Sequence, residues 1–367
     1  MKNFFQIEIP QNRNFGLDLL RFFAISFVLV SHGVYQLPDS LKNINQYFYL
    51  DGVSLFFVLS GFLIGGIFIK FYEKQKLNKN IINFWIRRWM RTLPAYFFIL
   101  TLVCIAEFLI TRELNIIKTI KHFLFVQNFY TFDPYLYPEA WSLSIEEWFY
   151  ILLPILTLIS FAILQNKKRA FLLVILFIVT VSPVMRYYLF YTHPITVGIA
   201  EWDETFRSVT ILRLDSIMFG VLAAYLKSYF STTFFFAKSL KFISGIVLLI
   251  FLKIIDLMGD YSSLFQCVFS FTLNSLGVFL LLPYLFCLKQ PKNRTIIKIV
   301  TFTSLISYSL YLVNSTLIQA LFLNHIHIEK SLFIKYVAYW TLSFFAAIFT
   351  YKFVELPFMR IRDKHFK

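Results

Sequence analysis

Cysteine and charge are both scarce in this chain. Cys104, Cys267 and Cys287 are its only cysteines; all three fall inside apolar runs and no CxxC spacing occurs, so neither a disulfide framework nor a zinc site is indicated. They read as packing residues. Charged residues make up only 15% of the sequence, far below a soluble domain of 367 residues. The charge present is lopsided, with 35 Lys and Arg against 20 Asp and Glu and a net charge of +15. Those basic residues do not cover one domain; they cluster in short loops between apolar runs, which makes the excess a report on membrane topology rather than on a nucleic-acid partner. No small-residue cleavage site follows the first apolar stretch, so an uncleaved first span is expected. Inverted repeats and paired Gly- or Pro-interrupted spans, the marks of many transporters, are also missing.

What the sequence does contain is 58% hydrophobic and 20% aromatic residues, with a mean hydropathy of +0.68. This composition implies an all-α, polytopic integral membrane protein. The apolar runs predict about ten transmembrane helices, near 16–36, 50–70, 92–111, 143–164, 170–190, 207–227, 240–257, 264–287, 300–322 and 333–353, each suited to ~30 Å of hydrocarbon. Alternate loops divide sharply in charge. One side holds Lys2, Arg13, Lys70, Lys74, Lys76, Lys79, Arg87, Arg88, Arg91, the 167–169 cluster, Lys289, Lys292, Arg294 and the basic C-terminus, ending in Lys367; the other holds only Lys42, Arg112, Lys118, Lys121 and Lys330. The positive-inside rule then puts both termini in the cytoplasm. The expectation is a single membrane-embedded domain over 1–367 in the cell membrane, with a basic cytoplasmic loop at about 71–91 and an external loop at about 112–141.

Within this frame the first span, FGLDLLRFFAISFVLVSHGV, carries Asp18, Arg21 and His32. On a helix turning about 100° per residue, Arg21 and His32 share one face and stand roughly 16 Å apart along the axis. Asp18, three residues before Arg21, is placed to hold the guanidinium near the helix entrance. Ionisable groups in hydrocarbon are costly and are read as functional by default. Taken singly, Arg21 could snorkel to a headgroup and His32 could cap a neighbouring helix; as a pair on one face they favour chemistry.

The basic loop ends in FWIRRWMRTLP, with Arg88 and Arg91 one helical turn apart and Trp85 and Trp89 beside them. Arginine pairs suit phosphate, and an indole can stack on a base, so a phosphate-rich cytosolic cofactor fits; a belt gripping anionic lipid fits equally. On the external side, LNIIKTIKHFLFVQNF reads as an interfacial amphipathic helix before a turn at 133–138. After it, PEAWSLSIEEWFYILLP sets Glu146 and Glu147 at the outer start of the fourth span, one of them facing inward, with Trp141 and Trp148 as interface anchors. Arg213, Asp215, Tyr308, Tyr311, Asn314 and Glu355 also fall in spans and require partners within a bundle.

The order GLDLLRFFAISFVLVSHG, DGVSLFFVLSGFLIGG, FWIRRWMRTLPAYF, WSLSIEEWFYILLP, RLDSIMFG, ISYSLYL and VELP resembles the acyltransferase 3 family of integral membrane O-acyltransferases, typified by O-antigen and exopolysaccharide acetylases. The resemblance runs from Gly16 to Pro357 and includes the family's arginine, ten residues, histidine pattern. It implies transfer of an acyl group, usually acetyl from acetyl-CoA, to a hydroxyl of a cell-surface sugar, polysaccharide or lipid-linked glycan, with no metal. His32 would be catalytic, Arg21 its essential partner, Arg88 and Arg91 the coenzyme-binding arginines, and Glu146 the family's glutamate of the fourth span. Two departures stand out: Ser54 where many relatives carry Asp, and Asn314 where they carry His. Some relatives also continue past the position of Pro357 into a hydrolase-like domain, whereas this sequence stops about ten residues after it. The expected mechanism is direct transfer, with His32 as general base, Glu146 orienting its ring and Arg21 holding a phosphate or pantetheine amide. A covalent relay through Ser26, Ser31, Ser54 or Ser60 is the rival, but none has a nucleophile-elbow context. From other function classes, a flippase or proton-coupled carrier of glycan or acyl intermediates would also use buried charges, and a structural partner of a polysaccharide synthase would not need the imidazole.

Overall fold

The computed structural model describes residues 13–73, 77–133, 135–193, 198–324 and 332–365, with the side chains of 77–80 and 332 excepted. Lys2, Lys74, Lys76, Lys330 and Lys367, and the side chain of Lys79, lie outside the described part. Helices α1 (Phe15–Gly33), α2 (Asp39–Asn45), α3 (Gly52–Glu73), α4 (Leu77–Thr111) and α5 (Ile116–Phe123) come first. They are followed by α6 (Trp141–Leu164), α7 (Lys167–Thr192), α8 (Ile199–Trp202), α9 (Leu214–Tyr229) and α10 (Ser231–Phe235). The chain closes with α11 (Lys238–Met258), α12 (Ser270–Phe286), α13 (Arg294–Val313), α14 (Leu332–Thr350) and α15 (Leu356–His365). No strand occurs among the described residues.

Eight of these helical stretches are long and apolar enough to cross a membrane. They overlap eight of the runs expected from hydropathy, and three of them, at Asp39–Glu73, Ile81–Thr111 and Phe333–His365, run about ten residues further. The other two expected spans are also helices: α9 is shorter, at 16 residues, and α11 runs 21 residues but carries Lys241, Lys253 and Asp256. Their outward faces show why the sequence is so apolar. Phe108, Leu109, Ile159, Leu176, Phe251 and Phe345 are exposed on the bundle, as a hydrocarbon solvent requires.

Local chemistry starts the helices. Asn14, Asn115, Asn166 and Asn293 each turn a side-chain oxygen back onto a free backbone N–H at the start of α1, α5, α7 and α13. Close approach then fixes how some of them cross. A Cβ on Gly61 of α3 would lie 2.0 Å from the carbonyl oxygen of Ile217, and one on Gly220 of α9 would lie 2.0 Å from that of Val58. Only backbone fits there, so α3 and α9 pack as a small-residue pair.

Basic residues gather at one end of the bundle, termed here the basic end. Lys167 Nζ donates to the Glu73 carbonyl at 3.0 Å, Arg87 lies 3.7 Å from Asp363, and Lys227 sits 3.7 Å from the centroid of the Phe286 ring. At the opposite end Gln36 donates to Asn324, Trp202 donates to the Gln266 carbonyl, and Lys253 covers the Tyr49 ring. Helix α5 lies at that end as the short amphipathic helix expected there, with Ile116, Ile117, Ile120 and Phe123 exposed. Burial holds the His122 imidazole on its inner face below the ordinary histidine range.

Candidate active site

Toward the basic end, a pocket of about 120 Å³ gathers Arg21 of α1, Arg88 and Arg91 of α4, and Glu146 of α6. Four of the five candidate site residues thus share one pocket. Its remaining wall is largely apolar, from Phe56, Leu59 and Leu63 of α3 among others. Arg88 Nη2 donates to Glu146 Oε2 at 3.0 Å and to the Tyr150 hydroxyl, and the guanidinium lies 4.4 Å from the centroid of the Tyr150 ring. Tyr150 in turn donates to Glu146 Oε2 at 2.6 Å and meets Ser60 Oγ at 2.8 Å. Arg88 is therefore an anchored cation. Arg91 lines the same pocket with no side-chain hydrogen bond to a described residue, its charge facing the Glu355 carboxylate.

Arg21 keeps the Asp18 partner the sequence suggested, as a loose ion pair, but does not have it to itself. Asp18 is taken by Arg13, whose Nε donates to Oδ2 at 2.8 Å and whose Nη2 donates to Oδ1, and by Ser304 Oγ at 2.7 Å. Arg21 Nη1 stands 4.0 Å from Asp18, beyond hydrogen-bond range, and reaches Ser304 Oγ only at 3.5 Å. Sharing its carboxylate with a second arginine, Arg21 keeps Asp18 as an ion-pair partner and also lines the pocket.

His32 lies apart from these arginines, on a cavity of about 650 Å³ at the opposite end. Its Nδ1 is 2.7 Å from Asn314 Oδ1. The amide can be oriented in only one way, because Asn314 Nδ2 donates to the carbonyls of Leu310 and Tyr311 at 2.9 and 2.8 Å. Asn314 Oδ1 is then an acceptor, which assigns the proton to Nδ1 and leaves Nε2 as the basic nitrogen. Tyr339 Oη adds a donor to the same oxygen at 3.2 Å. The expected contact between Glu146 and His32 is replaced: Glu146 serves Arg88 and Tyr150, and the ring is held by the residue noted as a departure from the family pattern.

Asn314 is placed by a change in helix geometry. From Asn314 to Leu323 the chain leaves α-helix for π-helical turns, and the buried Glu139 accepts from the Thr316 N–H at 2.7 Å and from its hydroxyl at 2.5 Å. Such widened turns recur at functional sites because they displace a side chain from the regular face. Glu139 and the π turns were not legible beforehand, since nothing in the local pattern separates them from an ordinary helix and loop.

Other groups around the cavity complete the correction. Asp51 caps α3 and accepts from Ser54 Oγ at 2.5 Å, while Ser54 Oγ accepts from Arg213 Nη2 at 3.2 Å. The second departure from the family pattern is thus a bridge between a carboxylate and a buried arginine. Arg186 is the partner Asp215 required: Nη2 reaches Oδ2 at 2.7 Å and Nη1 reaches Oδ1 at 3.1 Å, and both side chains are fully buried. Trp141, read as an interface anchor, is buried in the bundle beneath Arg207, which is 4.9 Å from its ring centroid and paired with Asp203 at 2.6 Å. Trp148 is partly buried and donates to the Phe125 carbonyl. Trp85 and Trp89 stack on each other at 6.1 Å, and the Trp85 N–H is taken by the Tyr150 carbonyl. Glu147, at 5% exposure, accepts from Thr92 at 3.0 Å, so both glutamates of the pair face the bundle. Among the described residues no cluster of His, Cys, Asp or Glu could hold a metal ion.

Comparison with known proteins follows the same residues. A family profile described as an acyltransferase domain matches residues 14–351. A protein of Staphylococcus aureus (strain COL) provisionally named an O-acetyltransferase is 25% identical over an alignment of 372 positions, covering 94% of this chain and 57% of the relative. A Bacillus subtilis (strain 168) protein provisionally named a peptidoglycan O-acetyltransferase is 32% identical over 168 positions, 42% of this chain and 25% of its own. The peptidoglycan O-acetyltransferase OatA of Listeria monocytogenes is 33% identical over 140 positions, 34% of this chain and 22% of its own. The chain spans little more than half the length of the staphylococcal relative it matches almost throughout. No solved structure matches.

Proposed function

Because the chain belongs to the acyltransferase 3 family, a multi-pass membrane family, we propose that it transfers an acetyl group from acetyl-CoA at the basic pocket to a sugar hydroxyl in the cavity around His32. The observation that carries this reading is the fixed tautomer of His32, with Nδ1–H committed to Asn314 and Nε2 left as a base. In the proposed step, Nε2 takes the proton of the acceptor hydroxyl as that oxygen attacks the thioester carbonyl; the tetrahedral intermediate expels the coenzyme A thiolate, and the imidazolium returns the proton to sulfur. One C–O bond forms and one C–S bond breaks.

Arg91 and Arg21 supply phosphate-facing donors, and Arg88 is held in place by Glu146, which acts here as a positioning residue. A donor made in the cytosol requires the basic end to face the cytoplasm, which is also the orientation the positive-inside rule gives, with both termini there. The acceptor class follows the relatives, two of which are named for peptidoglycan; for this chain it is a hydroxyl of a cell-envelope glycan.

His32→Ala tests the reading. One imidazole is a small part of the fold, so membrane insertion and abundance should stay near wild type while acetyl transfer falls by at least about a hundredfold, the scale of general-base catalysis. Transfer retained in that variant would sink the mechanism.

A further inference from the structure

The two cavities are lined by different residues with two exceptions, Val53 and Tyr311. Val53 belongs to the first turn of α3 and Tyr311 to the last turn of α13, so the shared wall is made where two helices meet. The Tyr311 phenol is tied on its far side. It donates to the Glu139 carbonyl at 2.9 Å and is 2.6 Å from Ser142 Oγ, both from the chain entering α6. Its ring packs edge-on against Phe56 at 6.4 Å. With its only side-chain polar atom engaged and its ring wedged, Tyr311 is a fixed edge where the two cavities adjoin rather than a free rotor.

We infer that Val53 and Tyr311 form the gauge that limits the length of the transferred acyl chain. The inference rests on the proposed donor and acceptor sites and goes beyond them. A thioester whose phosphates face Arg21 and Arg91 must present its carbonyl where pocket and cavity adjoin, beside Val53 and Tyr311, to meet a hydroxyl held by His32. Each added methylene then meets the valine side chain or the phenol ring. Rejection of one excess methylene by an apolar wall is worth about 10- to 200-fold in specificity.

The test uses the full chain in detergent-permeabilised membranes with their endogenous acceptors, supplied with radiolabelled acetyl-, butyryl- or hexanoyl-coenzyme A. The readout is label incorporated into the glycan fraction, alongside coenzyme A binding as a check on folding. Wild type should use acetyl and discriminate against butyryl. Val53→Ala and Tyr311→Leu should each raise the butyryl-to-acetyl ratio about tenfold or more. Tyr311→Phe, which keeps the ring and releases the tether, should raise it less than Tyr311→Leu. An unchanged ratio in variants that still move acetyl overturns the gauge while leaving the donor and acceptor reading intact. Loss of all transfer in the three variants, with coenzyme binding preserved, also overturns it. Absence of acetyl transfer by wild type defeats the underlying reading, and the gauge with it.

Discussion

Arg88 and Arg91 are one turn apart on α4, yet their surroundings give them different work. Arg88 is paired with Glu146 and Tyr150, whereas Arg91 has no described hydrogen-bond partner. A charge-assisted hydrogen bond contributes ~1.5–3 kcal/mol, so Arg91→Gln should weaken acetyl-CoA binding in detergent by about tenfold or more. Arg88→Gln should cost more, because it also strips Glu146 of its cation and leaves a carboxylate facing phosphate. Adding Glu146→Gln to Arg88→Gln should then restore part of the binding, whereas independent sites would give additive losses. Titration of wild type, Arg88→Gln, Glu146→Gln and the double variant with acetyl-CoA distinguishes the two outcomes. Additivity would mean that Glu146 does not act through Arg88. The sequence offered the two arginines as equivalents; their division of roles depends on Tyr150 and Glu146, which belong to another helix.

At the scale of the elements, the junction of α7, α9 and α12 is held by a fully buried ion pair. Arg186 bonds Asp215 bidentately, donates to the Val268 and Leu212 carbonyls, and shares Thr272 with the carboxylate. Removing one member of such a pair costs ~3–5 kcal/mol, because the other charge is left buried and alone, whereas replacing both with apolar residues is often neutral. Arg186→Met should therefore lower the thermal midpoint in detergent sharply, and Arg186→Met with Asp215→Leu should recover most of the loss. A double variant as unstable as the single one would show that the carbonyl contacts of Arg186, rather than the charge pair, hold the junction. Asp215 was recognisable in the sequence as a buried carboxylate in need of a partner. Arg186, 29 residues earlier on α7, could not be chosen over other arginines without the packing.

For the whole molecule, the two ends of the bundle differ in charge and in the cavity each presents. If the basic end faces the cytoplasm, a single cysteine at Lys292 should react with an impermeant thiol reagent only from the cytoplasmic side, and one at Asp260 only from outside. Both are placed in a chain from which Cys104, Cys267 and Cys287 have been removed. Labelling of both sites from the same face would overturn the arrangement, and labelling in the reverse sense would separate the arginine pocket from any cytosolic donor.

The sequence by itself determined the helical class, the apolar segments and the candidates His32, Arg21, Arg88 and Arg91, because hydropathy, helical periodicity and charge in apolar segments are properties of neighbouring residues along one chain; Glu146 was singled out over Glu147 only by the family resemblance. Tertiary structure alone decided the pairings: Asn314 on His32, Arg13 on Asp18, Arg186 on Asp215, Glu146 on Arg88, and Tyr311 between the cavities. Each joins helices or flanking segments through a contact a few ångströms long. Which residues meet is set by how close the backbones come, as where Gly61 and Gly220 let α3 and α9 touch, and by turns such as the π-helical widening after Val313 that carry a side chain off its regular face. A helical period gives the azimuth of a residue on its own helix; it does not give the neighbour standing at that azimuth.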